Sequence, residues 1–317
     1  MSFFSSTAFL ETVADVLYPH RSHTIERVHI DGRVFRLLVL DQREVVTHGP
    51  FIDYFEPLDR EIAPSRALAY LPRAVHDTIT AEAWQTRALP PGFEPSPYID
   101  WRAFADWDNF LGYVHARSLY PYKINLRKRR KIERELGPVH LTRAPQDDAL
   151  LQLCMAWKSA QYRRTGMWDV FASARNRRLF LELGRRNLLV MDALWAGERV
   201  VAIHAGVVWE QRFYYWLPAH DPETSSYSPG TLLLEELIER GYRERLEFDF
   251  LLGNEPYKWW YATHARIVGP VGQKSLAVRL ALAARNYAVG HIRDGQPAVY
   301  AFLQALKRRL REAALLP

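Results

Sequence analysis

The stretch that most limits what this chain can fold into runs from Ser228 to Trp260. Tyr227-Ser228-Pro229-Gly230-Thr231 is a turn cluster placed to open a helix. Ser228 suits the cap, and Pro229 suits a first turn, where a missing N–H costs nothing. Leu232, Leu233, Leu237 and Ile238 then fall on one side and Glu235, Glu236, Glu239 and Arg240 on the other, which is amphipathic spacing. Leu246 to Leu251 follows as a strand, with Asp249 between Phe248 and Phe250. Gly253 and Asn254 break it, and Tyr257-Lys258-Trp259-Trp260 starts another helix.

The physics of this unit suggests a binding site. A helix N-terminus offers unpaired N–H groups and a positive dipole end, so it suits a phosphate. Gly230 lets a ligand approach the backbone closely. Asp249 and Lys258 lie at and just beyond the end of the next strand, where chemistry gathers in α/β sheets.

The order Ser228-Pro229-Gly230, apolar helix, Phe248-Asp249-Phe250-Leu251-Leu252-Gly253 and Tyr257-Lys258 resembles the C-terminal signature of one branch of the GNAT superfamily. That branch holds the cellulose-biosynthesis-type (CelD/BcsL) acetyltransferases and is related to the Fem peptidyltransferases. The resemblance extends over about residues 120 to 271 and takes in the basic helix at Asn125-Leu126-Arg127-Lys128-Arg129-Arg130. It implies an α/β (α+β) GNAT-like acyltransferase fold, a mixed and mostly antiparallel sheet flanked by helices. It also implies a tandem arrangement: a degenerate N-terminal half at 1–97, an acyltransferase domain at 98–273 and a helical extension at 274–317.

The resemblance further implies acyl transfer from acyl-CoA or an acyl-carrier protein to an amine of a sugar, lipid or amino-acid-like acceptor. The attack is direct, with no covalent enzyme intermediate and no covalently bound cofactor; the donor is a co-substrate with phosphate groups. In such enzymes the strands before and after the phosphate helix splay apart. Here these would be Phe213 to Leu217 and Leu246 to Leu251. Donor contacts then fall on Ser228, Pro229, Gly230, Thr231, Trp216, Leu217 and Gly253. Tyr227, Arg127 and Trp168 are the candidates for substrate contact. Two other readings stay open: aminoacyl transfer from charged tRNA, as in Fem-type relatives, and a binding module that keeps only the fold.

Proton handling has four candidates. Asp249 lies in an apolar strand, where its charge must be paired or its pKa raised, so a structural partner competes evenly with a catalytic group. Lys258 matches the place where similar Fem-type enzymes use a lysine to steady charge on the donor. His204, inside Val200 to Val208, is either a satisfied core residue or a base facing the opening. Tyr257 could protonate a leaving thiol or simply pack.

Composition sets outer bounds. A chain of 317 residues, 48% hydrophobic and 25% charged, is long enough for two modest domains. Its net charge of +6 suits an anionic partner without choosing among phosphate carriers, nucleic acid and a membrane surface. The single cysteine, Cys154, excludes an internal disulfide and reads as a buried small hydrophobe in an apolar run. Metal-ligand pairs at zinc spacing are absent, so no metal is expected. No apolar run reaches transmembrane length and no leader pattern opens the chain, so the expected place is the cytoplasm.

Along the chain, a short helix is expected within 2–18, then a tight hairpin about Asp31-Gly32. A third strand is expected at Val45 to Tyr54 and a helix at 73 to 86. Pro90 to Pro97 is the linker candidate. Helices follow at 123–134, 146–164 and 174–186, the second capped near Asp147 and ended by Gly166. Three strands then form a meander between Leu188 and Leu217, and Arg266 to Val271 can add a last one. Residues 274–289 and 297–314 read as helices. The second is amphipathic and basic and could lie on an anionic membrane, at the inner face, although docking on its own protein is the commoner arrangement.

Overall fold

The computed structural model describes residues 1–58, 63–117, 122–145 and 147–273. The two helices expected beyond residue 273, and the membrane contact considered for the second of them, lie outside these.

Alternating apolar residues and the Asp31-Gly32 turn build the first unit. Strands β1 (His23–Ile30) and β2 (Arg33–Leu40) pair antiparallel across it. Both turn residues have positive φ, 47° and 75°, which glycine at the second place tolerates without strain. Short strands β3 (Glu44–Val46) and β4 (Arg66–Ala67) complete a sheet in the order β3-β2-β1-β4. Helix α1 (Thr7–Leu17), capped by Ser6, packs on β1 and β2. The third strand is far shorter than the expected Val45 to Tyr54: it ends at Val46, and the chain then turns at Gly49-Pro50-Phe51, where the Ile52 N–H reaches the Gly49 carbonyl at 3.4 Å.

The stretch at 73–86 reads differently from the expected helix. Strand β5 (Tyr70–Thr80) fills most of it, and only Ala81–Thr86 is helical (α2), capped by Thr80. The expected linker is a strand as well: β6 (Glu94–Ile99) lies between β12 (His264–Gly272) and β11 (Glu247–Asp249). Its prolines explain both the misreading and the pairing. Pro95 and Pro97 offer no N–H toward β11, and their carbonyls instead accept the N–H groups of Gly253 and Phe250 at 3.0 Å each. Toward β12 the register is regular, with Ser96 opposite Arg266.

The remaining elements follow the sequence periodicity. Helix α3 (Trp107–Ala116) is capped by Asp106. Helix α4 (Tyr122–Leu136) carries the basic run, and strand β7 (Val139–Ala144) follows. Helix α5 (Asp148–Thr165) is capped by Asp147, which accepts the Ala149 N–H at 2.8 Å, and ends in left-handed Gly166. After α6 (Ala174–Arg185) comes the meander β8 (Val190–Ala196), β9 (Arg199–Trp209) and β10 (Arg212–His220). Helix α7 (Pro229–Arg243), β11, α8 (Pro256–Tyr261) and β12 close the described chain.

The large sheet has eight strands in the order β5-β12-β6-β11-β10-β9-β8-β7. Its strand pairs are antiparallel except β10 with β11. One face carries a core with α1, α5, α6 and the small sheet, the other a core with α3 and α7. This is a mixed α/β fold, a mostly antiparallel sheet with helices on both faces.

Candidate functional site

The parallel pair β10–β11 is three residues long: Arg212 opposite Glu247, Phe213 opposite Phe248, Tyr214 opposite Asp249. Beyond Asp249, β11 ends and the chain turns at Leu251, whose φ is 61°. Strand β10 runs on to His220, paired only with β9 and with a bulge between Tyr214 and Leu217. The two strands therefore part from Tyr215 onward. Past that point Tyr215, Phe250 and Tyr261 are buried in the core on the α7 side, and Leu217 and Leu251 in the core on the α5 side, with Trp216 packed against it.

The α7 N-terminus stands just past the end of β10. Pro229 occupies the first turn as expected, but Ser228 does not cap through its side chain. It is left-handed, with φ of 56°, and its carbonyl accepts the N–H groups of Thr231 at 3.0 Å and Leu232 at 3.3 Å. Gly230 faces the His220 imidazole: a Cβ there would stand 3.5 Å from Nδ1. Burial lowers the His220 pKa, and the Arg164 and Lys158 charges lower it further. Lys158, on α5, donates from Nζ to the Pro218 carbonyl at 3.1 Å, on the parted stretch of β10.

From the other flank, α4 reaches the loop before α7. Lys128 donates to the Ser226 carbonyl, Lys131 stands over the Tyr227 ring at 5.0 Å, and Tyr227 donates to Glu135 at 2.8 Å. Tyr227 is thus held by α4, and Arg127 is exposed on the same helix. Trp168 lies elsewhere, exposed on the loop after α5.

Asp249 is fully buried, and its oxygens are occupied. Tyr54 and Arg266 donate to Oδ2, Arg266 at 3.1 Å; Ser96 at 3.2 Å and the Leu251 N–H at 2.8 Å donate to Oδ1. Arg266 also pairs with Glu247, and Arg212 bridges Glu247 and Glu56, each at 2.7 Å. Of the two roles open to Asp249, the geometry is that of the structural partner: it ties β11 to β12, to β6 and to Tyr54 of the first unit.

Lys258 is almost as deep. Its Nζ donates to the carbonyls of Leu251 at 3.2 Å and Leu252 at 2.6 Å and pairs with Glu255 at 2.9 Å. Three acceptors match the three hydrogens of an ammonium. Glu255 is exposed and is the partner able to leave. Gly253 has φ of 123°, a backbone conformation that glycine adopts without strain and L side chains rarely do.

His204 takes the core alternative. It has no exposure, its Nε2 accepts the Trp216 N–H at 3.2 Å, and Nδ1 faces Asp192 at 3.4 Å. The Trp216 donor fixes the tautomer, with the proton on Nδ1. Burial pushes this imidazole below its ordinary pKa, against the pull of Asp192. His204 thus supplies the acceptor that the β10 bulge removes from Trp216. Tyr257 is half-buried, and burial, then Glu255, pushes its phenol up.

Sequence reasoning missed Asp53. It sits in Phe51-Ile52-Asp53-Tyr54-Phe55, and its Oδ2 accepts the Leu252 N–H at 3.3 Å. Burial raises its pKa from 3.8 to about 6, while the Leu252 N–H, Lys258 and Arg73 act to lower it and Asp249 to raise it. The signal was one acid in an aromatic run, the same signal that singled out Asp249. Lys158 and Tyr162 of α5 were missed too; burial, then Asp169 and Asp53, pushes the Tyr162 phenol up to about 12.

Two cavities, of about 570 Å³ beside α1 and α6 and about 420 Å³ under the starts of β10 and β11, are lined by neither Lys258 nor Asp249. Among the described residues, no group of His, Cys, Asp and Glu could hold a metal ion, and no helix is long and apolar enough to cross a membrane.

Residues 122–259 match the family model described as "Acetyltransferase (GNAT) domain". A search of curated protein sequences found no match. Among solved structures, the chain is similar to FemX, with 10% identity over 89% of this chain and 94% of that one and a TM-score of 0.52. It is also similar to the C-terminal domain (DUF2156) of a putative lysylphosphatidylglycerol synthetase from Agrobacterium fabrum, 9% identical over 87% and 95% of the two chains, TM-score 0.45. L-PGS from Bacillus licheniformis is 11% identical over 88% and 91%, TM-score 0.42. The fold is that of GNAT-type acyltransferases, and FemX shares it.

Proposed function

We propose that this protein moves an acyl group from a phosphate-bearing carrier, acyl-CoA or an acyl-carrier protein, to an amine on a sugar, lipid or amino-acid-like acceptor. The observation that carries this reading is the parting of β10 and β11 after Tyr214 and Asp249, beside the N-terminus of α7 and within the GNAT-matched residues. An arm of the donor enters there and pairs with the backbone of β10 between Tyr215 and Pro218. Its phosphates sit at Ser228 to Thr231, where the dipole end of α7, Lys158 and Arg164 favour negative charge.

The donor carbonyl then lies by the Leu251–Leu252 turn. Its oxygen takes the place of Glu255 on Lys258, whose ammonium steadies the oxyanion as the amine attacks. No covalent enzyme intermediate is needed. The described core offers no cysteine nucleophile: Cys154 is buried, and burial pushes its thiol up to about 12. Asp249 holds the turn in place rather than moving a proton. The cellulose-biosynthesis branch, with a cytoplasmic envelope precursor as acceptor, remains the reading of the acceptor.

A second reading has its own observation. Lys123, Arg127, Arg130 and Arg134 are exposed on α4, a cationic face long enough for a polyanion. That face favours charged tRNA as the donor. Mass spectrometry of the purified protein, followed by thiol-release assays across acyl-CoA lengths, tests the first reading. Thiol release that Lys258→Met abolishes supports it. No release with any acyl-CoA, together with salt-steep binding of aminoacyl-tRNA, transfers the proposal to the second.

A further inference from the structure

We propose that Asp53, outside the GNAT-matched residues, takes the proton from the acceptor amine, so that the N-terminal segment completes the catalytic centre. This rests on the acyl-transfer reading above.

The placement of Asp53 is built, not incidental. The Phe51 ring packs against Phe171, Phe180 and Trp216, and Ile52 is buried. Tyr54 is bonded to Asp249, and Phe55 exchanges backbone hydrogen bonds with Arg73 and Val75. Its neighbours on both sides are anchored in the core, while Asp53 itself keeps partial contact with solvent. One residue of the turn then links it to the donor side: the Leu252 N–H is held by Asp53, and the Leu252 carbonyl by Lys258. An acyl carbonyl at Lys258 and an amine at Asp53 are thereby held one residue apart, which is the positioning a direct attack needs.

The charges that act on Asp53 are Lys258 of α8 and Arg73 of β5, which lower its pKa, and Asp249 of β11, which raises it; Asp53 in turn acts on the Tyr162 phenol of α5. Burial leaves the carboxyl at about 6, basic enough to hold a proton near neutral pH and to give it up again.

The acceptor arrives as an ammonium and loses one proton to Asp53. The freed lone pair forms the C–N bond, the carbonyl–sulfur bond breaks, and the sulfur leaves as a thiolate. The new amide nitrogen loses a second proton. One of the two protons neutralises the thiolate and the other goes to solvent.

A purely structural Asp53 would need only an oxygen for the Leu252 N–H, and asparagine keeps that oxygen. The test compares Asp53→Asn with the wild type, measuring kcat and KM from pH 5 to 9 and donor affinity by calorimetry. The expected result is a loss of about 100-fold in kcat, disappearance of the rising limb near pH 6, and unchanged donor affinity. An Asp53→Asn protein with kcat within about threefold of wild type, or one that keeps that limb, overturns the assignment alone. Wild-type protein that transfers no acyl group from acyl-CoA, acyl-carrier protein or aminoacyl-tRNA overturns the acyl-transfer reading with it.

Discussion

Asp53→Asn makes a second, independent forecast, because a carboxyl kept in an unfavourable place costs the fold something. An ordinary aspartate at 3.8 that rises to about 6 on folding disfavours the folded state whenever it is ionised. At 1.4 kcal/mol per tenfold, the full penalty at neutral pH is about 3 kcal/mol. Asp53 is partly open to solvent, which screens its charge, so we take about 1–2 kcal/mol. The sign follows from the proton balance. Between pH 4 and 6 the folded protein binds more protons than the unfolded one, so stability falls as pH rises through that window and stays lowered above it. Asparagine removes the ionisation and keeps an acceptor for Leu252. The variant should therefore be more stable than wild type by about 1–2 kcal/mol at pH 7.5, and by only a few tenths at pH 4. Urea unfolding followed by circular dichroism at both pH values reads the difference. A variant less stable at pH 7.5, or an equal gain at both pH values, refutes the reasoning. Lost turnover with gained stability is the combination expected of a strained functional group.

Other positions test the framework. Asp249→Ala leaves Arg266 buried with a partner missing, and should cost about 3–5 kcal/mol in urea unfolding; a cost below 1 kcal/mol would remove Asp249 as the tie between strands. Cys154 should resist a thiol reagent such as dithionitrobenzoate in the folded protein and react fully in denaturant, since burial holds its thiol at about 12; fast labelling of native protein contradicts this. His204→Ala strips the acceptor from the Trp216 N–H and opens a void between β9 and α7, and should lower stability by about 2–4 kcal/mol; a smaller loss would mean the bulge satisfies itself.

Much of the fold was legible where local chemistry decides. The Asp31-Gly32 hairpin, the Asp147 cap and Gly166 stop of α5, and the basic helix α4 stand where their residues place them. β5 and β6 were not legible, because Pro72, Pro95 and Pro97 read as breaks. They are tolerated in strands where the neighbour supplies donors or the ladder shifts register, and that depends on β11 and β12, more than 140 residues later. The site divides the same way. Asp249 stood out as a charge in an apolar strand, and Lys258 by its place just beyond the strand end. Their partners did not: Tyr54, Ser96 and Arg266 are brought to the Asp249 carboxylate by tertiary contacts. The core position of His204 likewise depends on the bulge before Leu217, which no spacing announces.

The central claim is that a phosphate-bearing donor enters where β10 and β11 part. A crystal structure with a non-hydrolysable acyl-CoA thioether addresses it most directly. The predicted result is a pantetheine arm against Tyr215 to Pro218, phosphates at Ser228 to Thr231, and the acyl carbonyl within hydrogen-bonding reach of Lys258. A donor bound elsewhere, or strands that stay closed over Tyr215 and Phe250 with the ligand excluded, would contradict it.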